Sequence, residues 1–163
     1  MLEFKKHLID FFTNPVLLCA IFSWLVAQIL KIFTSPKYRK EMSLLRFLVG
    51  SGGMPSSHSA AVCATCFSCG ILYGYDSALF AISAVLAVVV MRDAAGIRRE
   101  AGKQAQVINQ ISEELNRATP KKTFEDTLKV LLGHTPLQVL FGAMLGVIMA
   151  FFCQYWLFVK ILA

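Results

Sequence analysis

The chain has 163 residues, 56% of them hydrophobic and 16% charged, with 16 Lys and Arg against 10 Asp and Glu for a formal charge of +6. Soluble domains carry about a quarter charged residues, so this composition excludes a disordered chain, a small secreted disulfide scaffold and a water-soluble globule. What remains is one integral membrane domain over residues 1–163. Its expected class is all-α, a polytopic helix bundle with about four transmembrane helices and cytoplasmic amphipathic segments. The basic excess implies no nucleic acid, because Lys and Arg gather in the cytoplasmic loops of membrane proteins.

The first apolar segment covers residues 15–33 and holds a single charge, Lys31. Pro15 suits a first helical turn, with Asn14 as the cap before it. The apolar stretch after Lys5 and Lys6 runs on to transmembrane length, so no cleavable signal is read there, and His7 is assigned nothing. A polar stretch follows, with Lys37, Arg39, Lys40 and Arg46, closing on the flexible Gly50-Ser51-Gly52-Gly53. The second segment, residues 59–75, meets the third through the turn Gly74-Tyr75-Asp76-Ser77, where Tyr73 and Tyr75 suit a membrane interface. Cys63, Cys66 and Cys69 recur every third residue. A zinc site would need a fourth ligand and polar surroundings, so these three, with Cys19 and Cys153, read as small side chains for close helix packing.

The third apolar run, residues 78–91, gives only about 21 Å of helix against a hydrocarbon core of about 30 Å. To cross, it must continue through Arg92, Asp93, Ala94, Ala95 and Gly96, making the span 78–96. Charges at that depth mark functional positions. Residues 97–115 then read as an amphipathic helix with Val107, Ile108, Ile111 and Leu115 on one side, broken at Thr119-Pro120. The fourth span is 136–160, where Gly142 and Gly146 would also allow two copies of the chain to pair. Segments 31–46 and 92–129 hold thirteen of the sixteen basic residues. That puts both loops in the cytoplasm and both termini outside, in what reads as a bacterial plasma membrane.

The second and fourth spans start alike. Met54-Pro55-Ser56-Ser57-His58-Ser59 opens one, and Gly133-His134-Thr135-Pro136-Leu137-Gln138 the other. Each sets a histidine at a helix N-terminus on the same side, where unpaired amides and the dipole suit a phosphate. Ser56 and Ser57 add hydroxyl donors. Arg92, Gly96, Arg99 and Lys103, spaced four, three and four apart, would share one cationic helix face. Two histidines on one phosphate suggest a mechanism: one imidazole attacks phosphorus, the other protonates the leaving alkoxide, and water releases phosphate. Cations stabilise the charge on the oxygens, so neither a metal nor another cofactor is called for.

The motifs GGMPSSHS, RDAAGIRREAGKQA and LLGHTP, in that order, resemble the small divergent branch of the type-2 phosphatidic acid phosphatase superfamily, to which the vanadium haloperoxidases also belong. Met54-Pro55-Ser56-Ser57-His58-Ser59 is similar to its PSGH motif, and Gly133-His134-Thr135-Pro136, with Gly142 and Gly146, to its terminal His motif. The resemblance covers about residues 24–151. It implies a membrane lipid-phosphate phosphatase in which His58 is the general acid, His134 the nucleophile, and Ser56 and Ser57 hold phosphate. Where the superfamily has an Asp four residues after the nucleophile, this chain has Gln138. The superfamily's Ser-Arg pair falls on Thr127 and Leu128, and its first motif is approximated only by Arg39 and Arg46, with Phe47 for Pro. The clamp must then come from Arg92, Arg98, Arg99 and Lys103, and the substitute carboxylate from Asp93 ahead of Glu125 and Asp126. Two readings stay open: an enzyme acting on a phosphoric monoester or pyrophosphate of a membrane lipid, and a catalytically silent protein that binds or transports a phosphate head group. A haloperoxidase ranks last, since those relatives are typically soluble.

Overall fold

The computed structural model of the chain describes residues 1–35, 53–118, 128 and 133–157. Among them are the α-helices α1 (Leu2–Phe12), α2 (Pro15–Thr34), α3 (Ser57–Tyr73), α4 (Ala78–Ala95), α5 (Ile97–Ala118) and α6 (Pro136–Phe152), with no strand. The last helix runs into a π-helical turn, Cys153–Leu157. The expectations for Arg39, Arg46, Phe47, residues 50–52, Thr119-Pro120, Glu125, Asp126 and Thr127 lie outside the described residues.

Four helix starts share one device. Asn14 accepts from the amides of Val16 and Leu17, with Pro15 in the first turn, and the hydroxyls of Ser56, Ser77 and Thr135 accept from the amides of Ser59, Phe80 and Gln138. A cap satisfies donors that the helix itself cannot. In a bilayer, where water is scarce, that need is sharper.

The bundle is built around α3, which packs against α2, α4 and α6. Small residues line the seams: Cys19, Ser23 and Ala27 on α2, Ala60, Cys63 and Ala64 on α3, Gly142 and Gly146 on α6, all buried. Large apolar side chains face outward, among them Ile21 and Phe22 on α2, Ile82, Val85 and Val88 on α4, and Leu140, Met144 and Ile148 on α6. A soluble core is arranged the other way round. Lipid tails are as apolar as leucine, so close approach of small residues must hold membrane helices together. The five cysteines are buried free thiols within these seams; Cys19 Sγ lies 3.6 Å from the Met149 carbonyl and Cys63 Sγ 3.8 Å from Met91 Sδ.

Among the described residues, three helical stretches are long and apolar enough to cross a membrane: Pro15–Thr34, Ala78–Arg117 and Pro136–Leu157. The sequence reading expected four. The difference is α3, which has only 17 residues and carries Ser57, His58, Ser59, Thr65 and Ser68. Enclosed by three neighbours, it can hold polar groups that a lipid-facing helix could not.

A second departure concerns the cationic face. The helix carries on through Arg92 and Asp93 to Ala95, but the backbone breaks at Gly96, with φ −105° and ψ −85°. The expected stripe needed one continuous helix. Instead Arg92 belongs to α4, and Arg99 and Lys103 to α5. Farther along α5, Val107, Ile108, Ile111 and Leu115 form an exposed stripe. Asn109 grips the Leu128 backbone from both sides, each bond 2.8 Å long.

Candidate functional site

Three hydrogen bonds gather four helix ends at one pole of the bundle. The Ser56 amide donates to the Gln138 carbonyl at 3.0 Å, clipping the start of α3 to the start of α6. The His134 amide donates to the Ala94 carbonyl at 3.1 Å, tying the approach to α6 onto the end of α4. The Lys31 ammonium donates to Ser57 Oγ at 3.0 Å, joining the last turn of α2 to the first of α3.

The break at Gly96 is what frees the Ala94 carbonyl. In an unbroken helix that oxygen would accept the Arg98 amide; here it accepts the His134 amide, and helical bonding resumes with the amides of Arg99 and Glu100 on the Gly96 carbonyl. Gly133 lies flat on the break, where a Cβ would stand 2.5 Å from Arg99 N and 2.8 Å from Arg98 C. Farther along, Cβ atoms at Gly142 and Gly146 would run into the carbonyls of Ser56 and Ala60. These glycines let α6 come close enough for its first turn to meet that of α3.

His134 is 4% exposed, and its Nδ1 lies 3.2 Å from Gln138 Oε1. The same oxygen accepts the Thr135 amide at 3.0 Å, while the Thr135 hydroxyl accepts the Gln138 amide at 3.3 Å, a capping box. The box identifies which end of the amide faces the ring. Because Oε1 only accepts, Nδ1 carries the imidazole proton and Nε2 keeps its lone pair. Burial above all holds the His134 imidazole below the usual histidine range; the Gln138 bond pulls it up, and the charges of Lys31, His58 and Arg98 push it further down. The ring is therefore a neutral base at pH 7.

His58, in the first turn of α3, is exposed. It lies within charge-interaction range of His134, Lys31, Arg98 and Asp93. Asp93 pairs with Arg98, Oδ2 to Nε 2.6 Å, across the break between α4 and α5. It thus meets the cationic group rather than His134. Ser57 faces Lys31, whereas Ser56 is engaged by the fold: its amide goes to Gln138, and its hydroxyl accepts from the Ser59 amide and hydroxyl. Lys103 pairs with Glu100 at 2.7 Å on the outside of α5. Among the described residues no hydrogen bond or ion pair joins the side chains of Arg92, Arg99 or Lys103 to the histidines. The structure brings together His58, His134, Gln138, Ser57, Asp93 and Arg98.

Lys31 was not among the expected site residues. Its signal was nonetheless present, since Cys19, Ser23, Ala27 and Lys31 recur every fourth residue and so share the buried face of α2.

Comparison with known proteins follows the same outline. The sequence model described as the Divergent PAP2 family matches residues 12–149. The chain is 38% identical over 155 residues to an uncharacterized membrane protein, YuiD, of Bacillus subtilis, covering 90% of this chain and 98% of that one. No solved structure matches.

Proposed function

We propose that this chain, which belongs to the divergent PAP2 family, is a membrane lipid-phosphate phosphatase that passes the phosphoryl group through His134. One observation carries the reading: Gln138 Oε1 fixes Nδ1–H of a buried, neutral His134, leaving Nε2 as the nucleophile where two helix N-termini meet.

In the first step the Nε2 lone pair attacks phosphorus, the P–O bond to the lipid breaks, and His58, entering as the imidazolium, gives its proton to the leaving alkoxide and is left neutral. The ring then carries a P–N bond on Nε2 and a proton on Nδ1, hence a positive charge. Gln138 holds this ring without neutralising it. In the second step His58 takes a proton from water, the hydroxide attacks phosphorus, and the P–N electrons return to Nε2. Amides at the starts of α3 and α6, the Ser57 hydroxyl and Arg98 offer donors to the phosphoryl oxygens. Ser56 supports this by clipping the two starts together, and Asp93 by holding Arg98. Arg92, Arg99 and Lys103 add positive field that draws in an anionic lipid.

The positive-inside count supports a cytoplasm-facing site in a bacterial plasma membrane, with both termini outside. Substrates on that leaflet would include phosphatidic acid and phosphatidylglycerol phosphate. The test is phosphate release from a panel of lipid phosphates in EDTA, with acid-labile phosphoprotein trapped in parallel. The parent should release phosphate, and His134→Ala should lose both turnover and trapped intermediate. His58→Ala should slow formation of the intermediate, least for substrates with good leaving groups. A folded parent that binds these lipids yet releases nothing would favour the silent head-group binder, a reading to which the neutral Gln138 lends support.

A further inference from the structure

The mechanism above gives no task to Lys31. This side chain is fully buried in the last turn of α2, and its Nζ donates to Gln28 Oε1 at 2.8 Å and to Ser57 Oγ at 3.0 Å. Burying an ammonium is costly even with partners. The helix C-terminus that Lys31 occupies offsets only part of that cost.

What the lysine does to Ser57 is more specific. A hydroxyl that accepts from an ammonium must turn its own proton elsewhere. Ser57 is 1% exposed, and among the described residues its hydroxyl donates no hydrogen bond. The result is a buried O–H donor at the start of α3, backed by a positive charge. His58 is the next residue, and the Lys31 charge also reaches His134.

We propose that Lys31 and Ser57 together form a seat for one oxygen of a terminal phosphate group: Ser57 donates its hydroxyl proton to that oxygen, and Lys31 orients and polarises the hydroxyl from behind. This rests on the phosphate-binding part of the reading above, but not on turnover. It also gives the chain a cationic anchor inside the bundle, independent of the exposed arginines on α5.

The experiment uses the purified full chain in detergent, with inorganic phosphate and phosphatidic acid in mixed micelles as separate probes of binding. Lys31→Met should weaken both probes by about tenfold, and Ser57→Ala by about fivefold, as expected for losing a charge-assisted donor. The double variant should bind no worse than Lys31→Met alone, because Ser57 acts through its orientation by the lysine. Lys31→Met should unfold at or above the parent's temperature, since an apolar chain of similar length replaces a buried charge. A lysine kept only for the fold would show the reverse: lower stability and unchanged affinity.

Unchanged affinity in either single variant, additive losses, or a parent that binds neither probe would overturn the proposal. So would a loss confined to the lipid probe, which would place the effect in the acyl-chain site. If Lys31→Met does not fold, Ser57→Ala decides by itself. The two readings fail separately. Lys31-dependent phosphate binding without turnover would sink the phosphatase and keep the seat; turnover with unchanged KM in Lys31→Met would do the opposite.

Discussion

At the scale of single residues, the proposed chemistry turns on the protonation of His134. Burial first, then Lys31, His58 and Arg98, hold the imidazole below its usual value, against the pull of Gln138. An unperturbed histidine titrates near about 6.5, so the acid limb of kcat/KM should lie below that pH, as a pH profile of lipid-phosphate hydrolysis would show. Stability follows the same sign. As pH falls through about 6.5 the unfolded chain binds the proton before the folded one, so unfolding becomes easier on acidification. His134→Ala should flatten that dependence in thermal melts between neutral and mildly acidic pH. Gln138 serves the ring and the helix cap with one oxygen, which makes Gln138→Glu the informative substitution. It keeps the reach, places a charge beside the developing imidazolium, and should raise kcat while moving the acid limb upward. At about 4 Å and a dielectric near 20 the attraction is on the order of 4 kcal/mol before desolvation. A drop in kcat with the fold intact would mean that the added charge repels the substrate more than it steadies His134. Gln138→Ala should lose activity together with about 1 kcal/mol of helix capping.

At the scale of elements, the site depends on how closely α6 approaches its neighbours. Cβ atoms at Gly142 and Gly146 would press on the backbone of α3, and one at Gly133 on the backbone where α4 gives way to α5. Overpacking of this kind costs about 1–3 kcal/mol. Gly146→Ala, a turn or more below the histidines, should therefore lower the unfolding temperature with a modest effect on kcat. Gly133→Ala should do the converse. It sits next to His134, just before the cap of α6, so displacement of the imidazole should cut kcat by about a hundredfold, in line with a misplacement near 1 Å. If both variants lose stability and activity in proportion, the glycines act only through the fold. The break at Gly96 belongs to the same account, because it releases the Ala94 carbonyl that His134 uses.

At the scale of the whole molecule, small residues inside and large apolar residues outside describe an integral membrane protein. The bonds between helix ends put the starts of α3 and α6 and the ends of α2 and α4 at one pole, and the turn between α3 and α4 at the other. In the orientation proposed above, with the site facing the cytoplasm, that turn faces outward. Asp76 is exposed within it, and the native thiols are buried. In intact cells Asp76→Cys should therefore react with a membrane-impermeant maleimide, and labelling seen only after lysis would reverse the orientation.

Membrane class, helical content and family were legible in the sequence because they depend on composition, on hydrophobic stretches and on motifs in order along the chain. Local signals did as well: Asn14-Pro15 caps α2, and Thr135 with Gln138 closes a box at the start of α6. Tertiary structure decided what needs neighbours. Whether a 17-residue helix with serines needs a lipid-compatible surface depends on what surrounds it, and α3 is surrounded. Spacing alone put Arg92, Arg99 and Lys103 on one face, yet a single broken turn at Gly96 gave Asp93 to Arg98 and the Ala94 carbonyl to His134. Lys31 read as a lone charge in a span because periodicity names a face without saying what lies opposite. Only packing α2 against α3 set Ser57 there, since hydrogen bonds between distant segments are fixed by how helices dock, and that information is spread over the whole chain.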